Sequence, residues 1–289
     1  MKALITGSGG QLGSELSKSP PPDWQVTALT RTELDICDQR QVQDVTAGLQ
    51  PDLIINAAAY TDVDRAEEEP AKAHAVNADG AANIARAAAS CGARLIHVST
   101  DFVFDGTANR PYAPQAQTNP LGVYGVSKLK GEQEVEAAGN PDAVILRTAW
   151  VYSAHGNNFV KTMLRLMRER DTINVVADQI GTPTWTAGLA DAVWKLAAKP
   201  DVRGIHHWTD AGVASWYDFA VAIQEQALGR GLLETPKPVT PITTRQYPTP
   251  AQRPAYSVLD KTSTWDALDF VAPHWRASLG EMLSELTEH

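Results

Sequence analysis

Two side chains near the middle of the sequence could carry out acid–base chemistry. Tyr124 and Lys128 lie four residues apart, which places both on one face of a helix. An ammonium group beside a phenol favours the phenolate and lowers a pKa that starts near ~10. Such a tyrosine could exchange a proton with a carbonyl group near neutral pH. The same spacing also arises by chance in many helices, so the rest of the sequence must decide its meaning.

The composition of the chain narrows the classes of partner and location. Over 289 residues the formal net charge is -9, and no run of more than two basic residues occurs, which argues against binding to extended nucleic acid. The two cysteines, Cys37 and Cys91, have no metal-ligand spacing and do not form a disulfide framework. No leader and no apolar stretch approaching ~18 residues is visible, so we expect a soluble, cytoplasmic protein without a membrane partner.

The order of apolar and helical segments predicts an α/β protein. Short apolar runs that read as strands alternate with helical stretches, and they occupy residues 3–6, 25–29, 52–56, 94–98 and 143–146. A long Ala-rich helix is expected over residues 70–90, with Gly92 just after its end. Strict alternation of this kind predicts a Rossmann-like, doubly wound parallel sheet.

The pattern loosens after Arg147, where we expect a smaller C-terminal, substrate-binding lobe to begin. Residues 1–150 are predicted to form the Rossmann-like domain, to which the chain returns at roughly 172–200. Residues 151–289 would mainly form the lobe, so that the two units are interleaved. Six prolines between 236 and 254 indicate a rigid loop over a pocket rather than regular structure, with a linker as the alternative.

Glycines mark the turn between the first predicted strand and the first predicted helix. Gly7, Gly10 and Gly13 recur at three-residue spacing, with Gln11 and Leu12 between the last two. Glycine allows a tight turn and a close approach of the backbone to a pyrophosphate, and a helix N-terminus offers N–H groups and partial positive charge. The place of this loop between strand and helix predicts that these five residues bind a dinucleotide.

The end of the second predicted strand bears on which dinucleotide is bound. This strand ends at Thr30-Arg31, without the acidic residue that usually binds the ribose hydroxyls of NAD. Arg31 could instead pair with the 2′-phosphate of NADPH, or it could be a solvated surface arginine. Asp35 could serve the ribose or the adenine, and Ile36 beside it belongs to the same predicted site. We therefore expect NADPH to be preferred, with NADH as the alternative.

Two further segments could contact the cofactor. The third strand runs into Ala57, Ala58 and Ala59, whose small side chains would let a cofactor lie close to the backbone, although helix–strand packing would ask for the same. Asn77 is unusual in an Ala-rich helix, because a buried amide needs partners. One role open to Asn77 is to order a water molecule near Lys128.

Together and in chain order, these motifs resemble the extended short-chain dehydrogenase/reductase family. The glycine loop is followed by Asn56-Ala57-Ala58, Asn77, Ser99-Thr100 and the segment from Tyr124 to Lys128. Within that family, the chain resembles the dTDP-4-dehydrorhamnose reductases through further motifs that cover almost its whole length, at residues 99–106, 147–152, 156–159, 178–184 and 247–254.

The resemblance implies a reaction and a role for each catalytic side chain. Hydride would pass from the nicotinamide of NADPH to the keto carbon at sugar position 4 of dTDP-4-dehydro-L-rhamnose, giving dTDP-L-rhamnose. Tyr124 would donate the proton that turns the developing alkoxide into a hydroxyl. Lys128 would hold the nicotinamide ribose and keep the pKa of the tyrosine low. Thr100 would hydrogen-bond the keto oxygen, where charge develops.

The resemblance also points to residues that would bind the nucleotide sugar. They are Thr61 and Val63 after the third strand, together with Trp150 and Asn158. Trp150 could pack its face against the pyranose, or it could be an ordinary core residue. Arg253 is the candidate for the substrate diphosphate, because a guanidinium pairs well with phosphate oxygens, and a surface ion pair is the alternative.

Two positions separate the implied reduction from neighbouring reactions. Sugar-nucleotide dehydratases place Asp-Glu after the catalytic threonine, whereas this chain has Asp101-Phe102, and a phenyl ring cannot abstract a proton. Epimerases normally hold NAD through an acidic residue where this chain has Arg31. The sequence therefore favours reduction over dehydration or epimerisation.

Oligomeric state and two other functions stay open. Some relatives dimerise through magnesium held by clustered acids, and Glu15 matches the first of these, but the region of Asp191 retains at most one acid of the later pair. We therefore predict no magnesium site and leave monomer and homodimer open. The alternative functions are a non-catalytic nucleotide-binding subunit of the methionine adenosyltransferase type and a reductase that makes the 6-deoxy-L-talose epimer.

Overall fold

The computed structural model describes residues 1–287 and is built around one six-stranded parallel sheet. The strands are β1 (Lys2–Thr6), β2 (Gln25–Leu29), β3 (Leu53–Asn56), β4 (Arg94–Thr100), β5 (Val144–Thr148), β6 (Val151–Tyr152), β7 (Ile173–Val176), β8 (Ile180–Gly181), β9 (Thr184–Trp185), β10 (Gly204–His207), β11 (Ala214–Ser215) and β12 (Val239–Ile242). The helices are α1 (Gln11–Lys18), α2 (Gln39–Leu49), α3 (Val63–Glu68), α4 (Pro70–His74), α5 (Ala81–Cys91), α6 (Val123–Ala137), α7 (Phe159–Glu169), α8 (Thr186–Ala197), α9 (Trp216–Gly229), α10 (Thr262–Leu268) and α11 (Trp275–Glu285). Among residues 1–287, no helix has both the length and the apolarity to cross a membrane.

The sheet has the order β2-β1-β3-β4-β5-β10, and every neighbouring pair is parallel. The order reverses at β1, because the chain places β2 on one side of it and β3 on the other. A crevice opens beyond the carboxyl ends of the strands at such a reversal. The prediction of a doubly wound parallel sheet is confirmed, and the five predicted strands agree with β1 to β5 to within two residues at each end.

Alternate residues of each central strand face opposite layers of helices. On one face Ile5 and Ile55 pack against α1 and α8, and on the other Leu4 and Ile54 pack against α2 and α5. All four side chains are completely buried. Burial on both faces explains why these strands read as continuous apolar runs in the sequence.

A separate apolar cluster forms around α7, α9 and α11. Ile173 and Val175 of β7 face into this second cluster, whereas α8 packs on the sheet and β10 joins its edge. The predicted return segment, 172–200, therefore contains both a strand of the second cluster and α8, the helix that packs on the central sheet. The strand that extends the sheet, β10, lies beyond it.

The proline-rich segment differs from the expectation that residues 236–254 lack regular structure. Within it, β12 pairs in parallel with β7, and Pro241 stands opposite Val175. An edge strand bonds on one side only, so a proline can point its missing donor toward the open side. The prediction was wrong for this strand, because it counted prolines without asking which strand edge they would occupy.

The helix predicted over residues 70–90 is interrupted. A turn of π-helix at Ala75–Gly80 separates α4 from α5, and Asn77 lies within it. Gly92 follows α5 with a φ of 71°, the left-handed conformation that commonly ends a helix. The end of the helix was thus correctly predicted, whereas its interruption was not.

A buried ion pair fastens α6 to the sheet. Arg147 of β5 and Glu132 of α6 have side chains that are 2% and 3% exposed, and Nη2 lies 2.6 Å from Oε2. Arg147 Nε also donates to Glu132 Oε1 at 2.9 Å, and Ser99 Oγ donates to the same oxygen at 2.5 Å. Arg147 Nη1 donates to the carbonyl of Pro114 at 3.0 Å. Because these partners surround both charges, the cost of removing them from water is offset.

Replacing one member of this pair should be far more harmful than breaking an exposed pair. We expect Glu132→Ala to lower the free energy of unfolding by about 3–5 kcal/mol, because it leaves a buried guanidinium without a counter-charge. The control is Glu169→Ala, which breaks an ion pair at the surface: the side chains of Arg165 and Glu169 are 59% and 53% exposed. This variant should lower the free energy of unfolding by less than about 1 kcal/mol. Urea unfolding of both variants would measure this, and equal losses would contradict it.

Candidate active site

The glycine loop lies where β1 meets α1, and two of its glycines have no room for a side chain. Gly7 has a φ of +73°, and a Cβ there would lie 2.6 Å from the Cα of Ala58. A Cβ on Gly13 would overlap the carbonyl oxygen of Gly7. The loop is closed by a hydrogen bond of 3.0 Å from Gly10 N–H to the Gly7 carbonyl. The backbone of β1, α1 and the segment after β3 can therefore approach one another, and a ligand, closely.

A cavity of about 400 Å³ opens at the crevice between β1 and β3. It is lined by eight residues of the predicted cofactor site: Gly7, Gly10, Arg31, Asp35, Ile36, Ala57, Ala58 and Ala59. The other six do not line it; Asn77, Tyr124 and Lys128 lie beyond it, and three belong to the segment around the glycine loop. Leu12 is buried in the core beside α8, Gly13 packs under the loop, and the side chain of Gln11 accepts a hydrogen bond from Asn158. Tyr60 and Val76 also line the cavity and were not foreseen from the sequence.

The charges at the end of β2 leave a cation facing this cavity. The carboxylate of Glu33 accepts hydrogen bonds from Thr30 N at 2.8 Å and from Thr30 Oγ1 at 2.7 Å. Asp35 Oδ1 accepts from Cys37 N at 3.0 Å. Arg31, by contrast, is exposed on the cavity wall. The nearest carboxylate after β2 is thus turned back on its own backbone, and the guanidinium remains open to an anion.

The amide of Asn77 is buried and joins two segments beside the cavity. Its Oδ1 accepts from Tyr60 N at 2.8 Å, and its Nδ2 donates to the Tyr60 carbonyl and to Ser127 Oγ, each at 3.0 Å. Ser127 precedes Lys128 on α6. Both N–H donors of the amide are therefore used by protein atoms, and only an oxygen lone pair is left to hold a water molecule.

Tyr124 is the second residue of α6 and lies against the end of β4. Its ring meets Phe102 edge to face, with centroids 5.5 Å apart and planes at 73°. Burial raises the pKa of Tyr124 to about 12, an effect that interaction with the Thr100 hydroxyl opposes and the charge of Asp101 increases. The expectation that Lys128 lowers the pKa of this phenol is wrong for this structure. Removal from water is the largest contribution to this pKa, and the effect that opposes it comes from the Thr100 hydroxyl rather than from the ammonium group.

Lys128 lies one turn further along the same face of α6 and is buried. Its Nζ donates to the carbonyl of Val98 on β4 at 2.7 Å. Burial lowers the pKa of Lys128 to about 8, while the nearby charge of Glu132 opposes this change. Thr100, Tyr124 and Lys128 are thus gathered at the carboxyl end of β4, as their order in the sequence predicted.

Asp101 is a buried carboxyl in this group that the sequence reading did not single out. Its Oδ1 accepts from the Thr100 hydroxyl at 3.1 Å. Burial raises the pKa of Asp101 to about 6, partly offset by hydrogen bonding from Ser257 and Thr100. An ionisable residue directly after the predicted catalytic threonine was a signal available in the sequence.

Trp150 stacks on a tryptophan that the sequence reading missed. Its ring lies parallel to that of Trp216, with centroids 3.5 Å apart and planes at 5°, and the backbone of Trp150 has a φ of +47°. Such a conformation is costly for a bulky residue and persists only where its surroundings hold it. A Cβ on Gly181 would lie 2.5 Å from the Trp150 ring, so glycine is needed there too. Trp216 opens α9 and could not be paired with Trp150 from spacing alone.

The other predicted sugar-site residues differ in how many contacts they make. Asn158 caps α7 by accepting from Lys161 N at 3.2 Å, and its Nδ2 donates to Gln11 Oε1 at 3.0 Å and to the Ser153 carbonyl at 2.7 Å. Thr61 is exposed, and Val63 is the half-buried first residue of α3. Asn158 thus joins the second lobe to the cofactor loop.

Arg253 forms an ion pair with Asp64 of α3. Its Nη2 lies 2.7 Å from Asp64 Oδ2, and its Nη1 donates to Asp64 Oδ1 at 3.0 Å and to Thr249 Oγ1 at 2.6 Å. The side chain of Arg253 remains 24% exposed. The alternative reading of Arg253, an ion pair near the surface, is therefore realised in the structure, beside the residues that the resemblance assigns to the sugar.

The two acids considered for magnesium each pair with a lysine of their own helix. Glu15 pairs with Lys18 at 3.2 Å, and Asp191 pairs with Lys195 at 3.5 Å. Within residues 1–287 no group of three or more His, Cys, Asp or Glu side chains is arranged to hold a metal ion. Monomer and homodimer both stay open.

Comparison with known proteins gives consistent matches over the whole length. A family model described as the RmlD substrate binding domain matches residues 1–288. The chain is 44% identical to a dTDP-4-dehydrorhamnose reductase of Aggregatibacter actinomycetemcomitans, covering 96% of this chain and 97% of that protein. A dTDP-4-dehydrorhamnose reductase structure from Clostridium acetobutylicum superposes with a TM-score of 0.93 at 42% identity, covering 99% and 100% of the two chains. The enzyme of that name from Bacillus anthracis, solved with NADP, gives 0.92 at 38% identity, covering 98% and 99%.

The buried ammonium of Lys128 should make stability depend on pH. Its folded-state pKa, about 8, lies below the 10.5 of an exposed lysine, so the unfolded chain holds more protons between these values and stability rises with pH there. Lys128→Met has no ammonium group to bury, so the stability of this variant should not rise with pH in the same way. The free energy of unfolding of the variant minus that of the parent should therefore fall by about 2 kcal/mol between pH 7 and pH 10. Lys130→Met, at a 51% exposed position on the same helix, should show no such trend. Parallel pH trends for the two variants in urea unfolding would refute the assignment.

Proposed function

The chain belongs to the RmlD substrate binding domain family and is an NAD(P)H-dependent oxidoreductase; we propose that it reduces the 4-keto group of dTDP-4-dehydro-L-rhamnose with NADPH, giving dTDP-L-rhamnose. The observation that carries this proposal is the convergence of Thr100, Tyr124 and Lys128 beside β4. Full-length similarity to dTDP-4-dehydrorhamnose reductases supports the choice of substrate. The proposed partner is thus a nucleotide sugar, and a cytoplasmic location stays a prediction.

The cavity beside β1 fits a dinucleotide. Gly7 and Gly10 line it at the N-terminus of α1, where a diphosphate would lie, and Ala57 to Ala59 form a small-residue wall. Arg31 would pair with a 2′-phosphate, while Asp35 and Ile36 would flank the adenosine. The bound dinucleotide supplies hydride to the keto carbon.

The proton for the new hydroxyl comes from Tyr124 in this proposal. With a pKa of about 12, the phenol keeps its proton at neutral pH, yet it is still far more acidic than the alcohol that an alkoxide forms. Thr100 would donate a hydrogen bond to the same oxygen as charge develops on it. Lys128 would bind the nicotinamide ribose, and Asn77 would hold Ser127 and Tyr60 in place around it.

The second lobe would hold the sugar and diphosphate. Trp150, supported by its stack on Trp216, would offer an aromatic surface to the pyranose, and Thr61 and Val63 would contact the sugar from the segment after β3. Asn158 would contact the sugar from α7. Arg253 would bind the diphosphate through Nε and the second N–H of Nη2, because Asp64 and Thr249 already occupy Nη1 and Asp64 one N–H of Nη2. We propose the corresponding division into a nucleotide domain, mainly residues 1–150, and a sugar lobe, mainly 151–289.

The direct test is oxidation of NADPH in the presence of dTDP-4-dehydro-L-rhamnose. The parent protein should consume NADPH, whereas Tyr124→Phe should keep its affinity for NADPH and lose at least about 100-fold in kcat, because the proton donor is removed. Absorbance of the nicotinamide measures turnover, and fluorescence titration measures cofactor binding. NMR of the product reports the configuration at position 4 and distinguishes rhamnose from 6-deoxy-L-talose.

One outcome would contradict this function, and another would contradict the role of Tyr124 in it. Absence of NADPH oxidation at high protein concentration would favour a non-catalytic nucleotide-binding subunit. Near-parental turnover by Tyr124→Phe would leave reduction in place but remove Tyr124 from it.

The cofactor preference is tested separately at the end of β2. Arg31→Ala should raise the KM for NADPH about tenfold and change the KM for NADH less than about twofold, because only NADPH carries the phosphate that pairs with the guanidinium. Arg40→Ala, at a 91% exposed position on α2, should change neither KM. Catalytic efficiency of the parent with NADH equal to or above that with NADPH would defeat the preference.

A further inference from the structure

Two carboxylates of the short helix α3 contact different parts of the site: one contacts α6, which carries Tyr124, and the other contacts the loop that carries Arg253. Asp64 and Glu67 are three residues apart on this helix, a spacing that places their side chains as neighbours. Glu67 contacts the start of α6, and Asp64 contacts residues 249–253. Neither acid belongs to the residues proposed above to contact cofactor or substrate.

Glu67 replaces a missing cap at the start of α6. The residue before this helix is Gly122, which has no side chain that could accept a hydrogen bond from the first N–H groups of the helix. Glu67 Oε1 accepts from Val123 N at 2.8 Å instead. A Cβ on Gly122 would lie 2.6 Å from that same oxygen, so the glycine is what lets the carboxylate reach the helix end. A negative charge at this end is also favoured by the helix dipole.

The capped amide is adjacent to Tyr124. Val123 and Tyr124 are the first two residues of α6, so the bond to Glu67 fixes the backbone from which the phenol projects. Helix ends fray unless their first N–H groups have acceptors. Without Glu67, the first turn of α6 would have no acceptor from a neighbouring element at Val123, and the place of the phenol would be less well defined.

Asp64 orders the other half of the site. Besides its two contacts with Arg253, Asp64 Oδ1 accepts from Ala251 N at 3.2 Å. Burial by itself would raise the pKa of Asp64, but hydrogen bonding from Arg253 and Ala251 holds this pKa below its usual value. The loop also comes close to α6, since the Gln252 carbonyl lies 3.9 Å from where a Cβ on Gly122 would be.

We propose that Glu67 and Asp64 are positioning residues, Glu67 for the proton donor Tyr124 and Asp64 for the diphosphate-binding Arg253. The proposal rests on the function proposed above and deepens it, because α3 then holds the catalytic and the substrate-binding groups at a fixed relation. A shift of about 1 Å in a reacting group can cost ~100-fold in rate, so small helix movements have large effects. The two acids should therefore affect different kinetic constants.

Glu67 is tested by a graded pair of variants. Glu67→Ala should lower kcat about 10- to 100-fold with the KM for the sugar nucleotide and the affinity for NADPH within about threefold of the parent. Glu67→Gln keeps an oxygen acceptor for Val123 N–H and should restore kcat to within about threefold. Glu68→Ala, an exposed acid next along the same helix, is the matched control and should behave as the parent does. A common melting temperature for the four proteins shows that folding is not the cause.

Asp64 is tested by the opposite pattern. Asp64→Ala should raise the KM for the sugar nucleotide about tenfold while kcat at saturation stays within about threefold, because Arg253 is present but no longer held. Asp64→Glu, which retains the charge, should recover part of the affinity. Equal changes in kcat and KM for both Glu67→Ala and Asp64→Ala would show a general structural role and overturn the proposal.

Amide hydrogen exchange separates this proposal from the assignment of the reaction. Glu67→Ala should speed exchange of residues 122–126 more than tenfold, and Asp64→Ala should do so for residues 249–253, with no change in Glu68→Ala. If the parent protein does not turn over but these exchange effects appear, the reaction is wrong and the anchoring by α3 stands. If the parent turns over and exchange at 122–126 is the same in Glu67→Ala and Glu68→Ala, the anchoring is wrong.

Discussion

The burial of charge on one face of α6 is the constraint on which the rest of the structure depends. Tyr124, Lys128 and Glu132 recur every four residues; Lys128 and Glu132 are buried against β4, and Tyr124 is half-buried beside Phe102. Burial of such polar and charged groups destabilises the folded state unless each group has a hydrogen-bonding or charged partner. The backbone and side chains of residues 98–100 and the guanidinium of Arg147 supply those partners. The same pairing that makes this face tolerable also aligns the phenol with Thr100.

This arrangement explains why α6 was recognised by its chemistry and not by its pattern. Apart from Val135, its buried positions are small or polar, including Gly125, Ser127 and Gly131, so the helix has no apolar stripe of the usual kind. The spacing of Tyr124 and Lys128 was the signal that remained. The strands were easier to predict, because both of their faces are buried and the apolar runs are continuous. The glycine loop was also predictable, because its glycines follow from backbone clashes that occur within a few residues.

The features that escaped sequence reading arise from contacts between distant segments. The raised pKa of Tyr124 depends on how deeply the completed fold buries the ring, which spacing along one helix does not reveal. The stack of Trp150 on Trp216 joins residues from different parts of the second lobe. Likewise, the engagement of Arg253 by Asp64 links the proline-rich segment to α3 across most of the chain. In each case the residue type suggested an interaction, and the tertiary structure determined which one was made.

The turn of π-helix before α5 has a consequence for how the chain length can vary. A π-turn takes up one residue more than an α-helical turn, and an extra residue in a regular helix would rotate everything after it by about 100°. At Ala75–Gly80 that surplus is absorbed locally, so the Ala-rich face of α5 still meets the sheet while Asn77 is directed toward Tyr60 and Ser127. A relative that lost this one residue could therefore keep the same helix packing and lose only the amide. The packing of α5 on the sheet therefore tolerates the gain or loss of one residue at this place in the chain.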